Sequence, residues 1–242
     1  MSATRTHYDE HLGPVYVWMA GGIEAALARG EGEIRDLGLE APATDYAVDL
    51  GAGFGMHAIP LARRGIPVLA IDACVPLLDE LKRASEGLPI KALAGDLLDF
   101  RRHLEKTPRA ILCMGDTLTH LPSRAEVERL FSEAAEALPE GGQLILSFRD
   151  YTRALSGAER FIPVRSDGER ILTCFLEYGG ERVTVHDLLH ERDGAGWKQR
   201  VSAYEKLRLD PAWVVEALAA RGFSPQRGAG LSGMVRIAAR RG

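Results

Sequence analysis

A glycine-rich loop is the first place in this sequence where residue types and spacing suit chemistry. An apolar run, predicted to be a strand, passes directly into the segment DLGAGFG at residues 49–55, and a helix is predicted to follow. Glycines at such a junction let the backbone turn sharply and let a ligand approach it closely. The dinucleotide fingerprint G-x-G-x-x-G is not met, because Met56 stands at its third glycine position. The loop therefore predicts a ligand site of another kind.

Polar residues also follow the later predicted strands. Asp72 ends the second strand, and Asp96 follows the third. The segment after the fourth strand contains Asp116 and His120, and Arg149 stands at the end of the fifth. Ligands of open α/β sheets bind at the carboxyl ends of the strands. We therefore expect these side chains and the glycine loop at one edge of a single sheet.

Strands and helices alternate through the first part of the chain. The predicted strands cover residues 46–50, 67–71, 90–94, 110–114 and 143–148, and the predicted helices cover 55–64, 75–86, 97–104 and 123–138. The last of these helices opens with a capping box from Ser123 to Glu126 and has apolar residues at helical spacing. This alternation predicts a parallel sheet with helices on both faces.

The pattern changes after residue 150. Residues 151–209 have a period of two and predict a three-strand antiparallel meander at 170–178, 181–192 and 197–209. A helix that starts at Pro211, capped by Asp210, and a hairpin ending in a strand at 234–240 are predicted next. At the other end of the chain, residues 1–38 are predicted to be helical with a break at Gly13-Pro14, and residues 41–43 to form a linker.

Composition excludes several classes of protein. The 242 residues are 46% hydrophobic and carry 30 Lys and Arg against 34 Asp and Glu, a formal net charge of −4. This balance is that of a folded chain and argues against a broad basic face for nucleic acid. No apolar run reaches the ~18–20 residues of a membrane span, and the N-terminus lacks the apolar core of a signal peptide. Cys74, Cys113 and Cys174 lie far apart in apolar runs, which predicts buried thiols, not a disulfide frame or a zinc site, in a reducing compartment, the cytoplasm.

The spacing of the glycine loop, acidic-x-G-x-G-x-G, resembles motif I of class I S-adenosylmethionine (SAM) methyltransferases. With the acids after the second and third strands, the resemblance covers residues 44–150 and 210–240. It implies an α/β, Rossmann-like sheet of seven strands, the last antiparallel, with the β meander inserted after the fifth. It divides the chain into a helical lid (1–40), a SAM-binding core (41–150), the β insertion (151–209) and a completion of the core (210–242).

The resemblance also implies which residues hold SAM, the family's cofactor. Asp49 is expected to help hold the methionine amino group, Asp72 to accept from both ribose hydroxyls, and Asp96 to accept from the adenine amino group. Tyr16 and Trp18, in a segment like the family's N-terminal lid, are expected to close over the methionine half, where ring faces stabilise a sulfonium. The remaining expected contacts are Gly51, Ala52, Gly53, Gly55, Leu97 and Met114.

The acceptor is expected to be a small molecule, methylated on nitrogen or oxygen. The segment after the fourth strand lacks the Asn/Asp-Pro-Pro-aromatic pattern of enzymes that methylate adenine amino groups, and the insertion resembles those of glycine and amino-sugar N-methyltransferases. Such an insertion caps the substrate or joins two subunits, so a homodimer is one expectation. His120 and Asp116 are candidates to orient or deprotonate the acceptor, and Arg149 to clamp a carboxylate. As alternatives, His120 packs the next helix and Arg149 pairs with a neighbouring acid such as Asp150.

Other functions stay open at this point. A SAM-binding regulator without turnover would use the same cofactor residues, whereas the glycine spacing opposes an NAD-dependent dehydrogenase. Asp116 and Asp150 fall near the magnesium ligands of enzymes that resemble catechol O-methyltransferase. Tyr151, however, stands where that pattern has Asn, and Mg²⁺ demands near-octahedral oxygen ligation. Metal-independent methyl transfer is therefore predicted.

Overall fold

The computed structural model describes residues 6–41 and 43–242. Outside the described residues lie the first five residues of the predicted lid and Pro42 of the predicted linker. The prediction on a signal peptide also refers to those first five residues. The strands are β1 (Ala47–Leu50), β2 (Val68–Asp72), β3 (Ile90–Ala94), β4 (Ala110–Cys113), β5 (Gln143–Phe148), β6 (Phe161–Ser166), β7 (Arg170–Tyr178), β8 (Arg182–Asp193), β9 (Gly196–Leu207), β10 (Phe223–Ala229) and β11 (Val235–Arg241). The helices are α1 (Gly13–Met19), α2 (Ile23–Asp36), α3 (Ala58–Arg63), α4 (Val75–Ala84), α5 (Arg124–Ala137) and α6 (Pro211–Ala219).

A seven-stranded sheet in the order β10-β11-β5-β4-β1-β2-β3 forms the centre of the fold. Five neighbouring strands of this sheet are parallel to one another, namely β3, β2, β1, β4 and β5. Strand β11 runs antiparallel to both β5 and β10. The predicted sheet with an antiparallel last strand is thus confirmed. The order reverses between β1 and β4, so the loops after these strands diverge and leave a crevice for a ligand.

Helices cover both faces of this sheet, as predicted. Helices α5 and α6 bury their apolar residues against one face, and α2, α3 and α4 against the other. The two predicted helix caps are present: the Ser123 hydroxyl accepts from the Glu126 amide at 3.3 Å, and the Asp210 carboxylate accepts from the Ala212 amide at 2.8 Å. Two helix predictions need correction, because α3 begins at Ala58 and Leu97–His103 is a 3₁₀ helix.

The insertion forms a separate antiparallel sheet in the order β6-β7-β8-β9. The predicted three-strand meander is therefore incomplete, since β6 precedes it. Pro163 and a break in register between Pro163 and Arg165 hide the period of two in β6, and both are tolerated because β6 is an edge strand. One face of the meander, which we call its inner face, buries Leu172, Leu176, Val183, Val185, Asp187 and Leu189.

The N-terminal segment packs across the inner face of the meander. It consists of a π-helical turn at Tyr8–Leu12 that continues without interruption into α1, followed by α2 after Gly21-Gly22. The predicted break at Gly13-Pro14 is wrong, because the helical backbone continues from the π turn through Pro14 into α1. The Gly13 amide donates to the Tyr8 carbonyl, which closes the wider π turn.

The expectations on membrane-spanning segments and on the cysteines can also be compared with the structure. None of the described helices is long and apolar enough to cross a membrane. All three cysteines are free; Cys74 and Cys113 are buried and Cys174 is half-buried.

Candidate functional site

The loop after β1, residues 49–55, has a backbone that only glycine adopts without strain; we call it the donor loop. Gly51 has a φ of +75°, and a Cβ on it would lie 2.4 Å from the Thr117 side chain. Gly55 has a φ of +93°, and a Cβ there would lie 2.3 Å from Leu81. These glycines therefore let the loop approach both the segment after β4 and helix α4.

Asp72, at the end of β2, ties the donor loop to its neighbour. Its carboxylate accepts from the Gly53 amide at 2.8 Å and from the Cys74 amide at 2.7 Å. Burial outweighs these bonds and raises the pKa of Asp72 above its usual value. Each carboxylate oxygen has a further lone pair, so the group retains capacity to accept from a ligand.

Asp49 is a buried carboxylate that can accept a further hydrogen bond. It is 2% exposed, and its Oδ2 has no hydrogen-bond partner among the described residues. Burial raises its pKa to about 6, with a contribution from Asp72, while the charge of His57 and the Ala58 amide oppose that rise. An orphaned carboxylate oxygen beneath a glycine loop is an acceptor for an ammonium group.

The other residues predicted to bind SAM lie around the same crevice. Ala52 is buried in the donor loop and Met114 is buried at the end of β4. Asp96 is exposed and caps the 3₁₀ helix by accepting from the Leu98 amide at 2.9 Å, and Leu97 is half-buried beside it. The carboxyl ends of β1 to β4 thus collect these residues along one edge of the sheet.

Asp116 is a hub of hydrogen bonds at the carboxyl ends of β4 and β5. It is 4% exposed and forms a buried ion pair with Lys206 of β9. It also accepts from the Arg149 amide at 2.9 Å, the Tyr151 hydroxyl at 3.1 Å and the Thr119 hydroxyl at 3.0 Å. Burial opposes its ionisation, but Lys206 and the Arg149 amide outweigh burial and hold the pKa of this carboxyl below its usual value.

His120 lies between two tyrosine rings. Its Nε2 is 3.1 Å from the Tyr8 hydroxyl, and its ring stacks on Tyr204 with a centroid distance of 5.4 Å. Burial, reinforced by Lys206, lowers the pKa of His120 to about 3, so the imidazole is neutral at physiological pH. Its buried Nδ1 is unpaired within residues 6–41 and 43–242. We call Tyr8, Asp116, His120, Tyr204 and Lys206 the acceptor cluster.

Rings join the acceptor cluster to the donor loop. Phe54 of the loop meets Tyr16 at 6.0 Å between centroids, Tyr16 meets Tyr8 at 6.1 Å, and Tyr8 meets His120 at 5.4 Å. Burial raises the pKa of Tyr16 to about 12 and holds the pKa of Tyr8 well above its usual value, with Asp72 and Asp116 adding to both shifts. These phenols therefore stay protonated.

Two of the predicted site residues are not brought to this crevice. The Trp18 indole donates to Asp167 at 2.5 Å, in the turn between β6 and β7, with Arg165 and Arg170 over its ring. The Arg149 guanidinium is exposed and donates to the Ser232 carbonyl at 3.1 Å. The alternative pairing of Arg149 with Asp150 is also not what the structure shows, since Asp150 accepts from the Thr152 amide at 2.9 Å.

A second polar group fastens the N-terminal segment to the meander. His7 lies 3.0 Å from the Asp187 carboxylate and 2.8 Å from the Ser202 hydroxyl. His11 lies 3.1 Å from the Asp187 carbonyl. Sequence reasoning did not single out these residues, although Asp187 gave a signal: its period-two position places it on the apolar face of β8, between Val185 and Leu189.

The described residues fit SAM but not a metal ion. The orphaned Asp49 oxygen, the glycine cradle and the spare lone pairs of Asp72 match an ammonium and two hydroxyls. Among the residues that the structure describes, no group of three or more His, Cys, Asp or Glu side chains is arranged to hold a metal.

Residues 47–142 match the family model described as a methyltransferase domain. That segment contains the donor loop, strands β1 to β4 and helix α5. The motif, the strand order and this match agree on a methyltransferase domain in residues 47–142, on a sheet with the fold of SAM-dependent methyltransferases.

Individual relatives narrow the comparison. A glycine/sarcosine N-methyltransferase from Aphanothece halophytica is 27% identical over 128 residues, 52% of this chain and 48% of that protein. The cypemycin N-terminal methyltransferase from a Streptomyces species is 25% identical over 224 residues, 82% of this chain and 89% of that protein. The structure of the CcbJ methyltransferase from Streptomyces caelestis aligns with a TM-score of 0.79 at 20% identity and covers 98% of both chains. The match thus spans about half the length of the glycine/sarcosine relative, and the structural likeness shows the fold.

Proposed function

We propose that this protein is an enzyme that transfers a methyl group from SAM to a nitrogen atom of a small-molecule amine. The observation that carries this proposal is the continuous row of rings from Phe54 through Tyr16 and Tyr8 to His120. Methyl transfer requires donor and acceptor to be aligned and shielded from water. The row gives the two ligands one shared wall.

The donor loop and its neighbours would hold the cofactor. Asp49 accepts from the SAM ammonium with its free oxygen, Asp72 accepts from the ribose hydroxyls, and Asp96 accepts from the adenine amino group. Ala52, Leu97 and Met114 supply apolar contacts. When bound, SAM supplies an electrophilic methyl group on a sulfonium, next to which the Tyr16 ring stabilises positive charge.

The acceptor cluster suits an amine better than an alcohol. An alcohol gains from a general base with a pKa near 7, whereas burial lowers that of His120 to about 3. A neutral amine needs only removal from water and orientation, which the His120 imidazole and the Tyr8 hydroxyl provide. The rings of Tyr8 and Tyr204 then stabilise the positive charge that develops on the nitrogen. The names of the relatives, a glycine/sarcosine N-methyltransferase and an N-terminal methyltransferase, agree with this assignment.

Asp116 and Arg149 receive supporting roles in this proposal. The carboxylate of Asp116 is occupied by Lys206, Tyr151 and the Arg149 amide, so it fixes the acceptor cluster and does not take the acceptor's proton. Arg149 acts through that amide, and its exposed guanidinium lies at the rim. Residues 1–40 serve as the lid, and residues 151–209 roof the acceptor side of the core formed by 41–150 and 210–242.

A second copy of the chain is the proposed macromolecular partner. Five of the six exposed large hydrophobic side chains of the described residues lie in the insertion: Phe161, Val164, Ile171, Trp197 and Val201. Glu177 and Glu205 lie at one end of the meander's outer face and Arg192 at the other. A two-fold packing of these faces would bring opposite charges together. Light scattering should give a dimer, and Val201→Glu should give monomers.

The predicted absence of nucleic-acid partners and the cytoplasmic location stay part of this proposal. The three free thiols support a reducing compartment.

Calorimetry and a turnover assay test the proposed function. SAM should bind and NAD should not, and S-adenosylhomocysteine should be released with primary or secondary amines of the glycine, amino-sugar and peptide N-terminal classes. Binding without turnover on any amine would favour the SAM-binding regulator. Methylation of phenols alone would overturn the assignment to nitrogen.

A further inference from the structure

A buried acid–base pair lies directly beneath the donor loop. His57 Nε2 is 2.9 Å from Glu33 Oε2, and the two side chains are 9% and 7% exposed. The other Glu33 oxygen, Oε1, is buried without a partner in the described part of the chain. Burying an acid and a base costs free energy unless the two groups contact each other with good geometry.

Helix α2 is pressed against the loop at this point. A Cβ on Gly30 would lie 1.9 Å from the Met56 carbonyl, so only glycine permits this approach. Gly30 is one turn before Glu33 on the same helix, and Met56 directly precedes His57. The contact therefore fixes the spacing between α2 and the residues that follow the donor loop.

His57 in turn faces Asp49. The Ala58 amide, next to His57, donates to the Asp49 carboxylate, and the charge of His57 opposes the effect of burial on that carboxylate. The other titratable groups that face Asp49 are Asp72 and the buried Cys113 thiol.

We infer that Glu33 and His57 are positioning residues for the donor site, which keep Asp49 ionised and oriented for the ammonium group of SAM. This inference rests on the proposed function. Glu33 holds the imidazole in place from α2, and the imidazole thereby fixes the adjoining Ala58 amide, which donates to the Asp49 carboxylate. Neither side chain needs to touch the cofactor.

Calorimetric titration of SAM between pH 5 and pH 8 tests this inference. In the wild type the affinity should fall as the pH drops through about 6, because protonated Asp49 no longer attracts an ammonium. Glu33→Gln and His57→Gln should weaken binding about 3- to 10-fold at pH 7 and move the acid limb to higher pH, since a displaced Ala58 amide no longer favours the ionised form of Asp49. The matched control is His186→Gln, which breaks a His–Glu pair of 2.5 Å with Glu177 on the meander; its affinity and pH limb should equal the wild type.

The outcomes separate the inference from the proposed function. A wild type that binds no SAM would reject the proposed function, and this inference with it. A wild type that binds, with both variants keeping its affinity and acid limb, would reject the inference alone. A loss of affinity that is the same at every pH would assign the pair a purely structural role, and so would failure of both variants to fold by circular dichroism. If only His57→Gln fails to fold, the acid limb of SAM affinity in Glu33→Gln tests the inference. A limb at the same pH as in the wild type would then reject it.

Discussion

The donor side and the acceptor side of the site differ in how their buried carboxylates are satisfied. On the donor side, Asp49 keeps an oxygen without a partner in the described chain. On the acceptor side, Asp116 is paired with Lys206 and accepts three further hydrogen bonds. An unsatisfied buried carboxylate can accept from a cationic ligand, whereas a satisfied one is a structural anchor. In the proposed function, SAM completes the hydrogen bonds of the donor side, whereas the protein itself completes those of Asp116 on the acceptor side.

The largest expected effect breaks the anchor of the acceptor side. Lys206→Met leaves Asp116 buried without its cation and should lower the free energy of unfolding by about 3–5 kcal/mol. Chemical denaturation measures this loss. The control Lys91→Met removes an exposed lysine, paired with Glu105, and should leave stability nearly unchanged. A comparably small loss for Lys206→Met would mean that Asp116 is not held by this pair.

The next effect concerns the donor side. Asp72→Ala removes an acceptor for two hydroxyls and should weaken SAM binding by roughly 1.5–3 kcal/mol, about 10- to 150-fold. Calorimetry measures the affinity, and Asp79→Ala, on the exposed face of α4, serves as control. Unchanged affinity in Asp72→Ala would remove the ribose assignment.

A smaller effect sharpens the division between the two sides. Tyr8→Phe removes the hydroxyl that meets His120, and it should lower turnover about 2- to 10-fold while the SAM affinity stays near that of the wild type. Tyr178→Phe, at the end of β7 in the meander and away from His120, should change neither quantity. If SAM affinity fell as far as turnover, Tyr8 would belong to the donor side.

No effect is expected from metal removal. The oxygens of Asp116 are occupied by Lys206, Tyr151 and an amide, so they are poor ligands for Mg²⁺. Turnover should survive exhaustive treatment with EDTA. Activity that disappears and then returns with added Mg²⁺ would contradict this reading of the acceptor cluster.

Sequence reasoning predicted that the residues of the donor side share one edge of the sheet, and it could do so because that side is local. The donor loop is a single run of residues, and Asp72 and Asp96 follow strands whose order the family pattern implies. The acceptor cluster combines Tyr8, His120 and Lys206, which only the packing of the lid on the meander brings together. The prediction for Trp18 was limited in the same way, because the sequence does not say which side of the N-terminal segment an aromatic side chain faces. In the structure Trp18 packs against Asp167.

The π-helical turn at Tyr8–Leu12 makes the contacts of the N-terminal segment depend on the number of residues in that turn. A π turn contains one residue more than an α-helical turn. Deleting one residue from it would restore α-helical spacing and rotate everything before it by about 100° around the helix axis. His7 and Tyr8 would then leave Asp187 and His120, while α1 kept its own packing. The length of this segment is therefore as important to these contacts as its residue types are, and deleting one residue is the smallest change of length that would separate Tyr8 from His120.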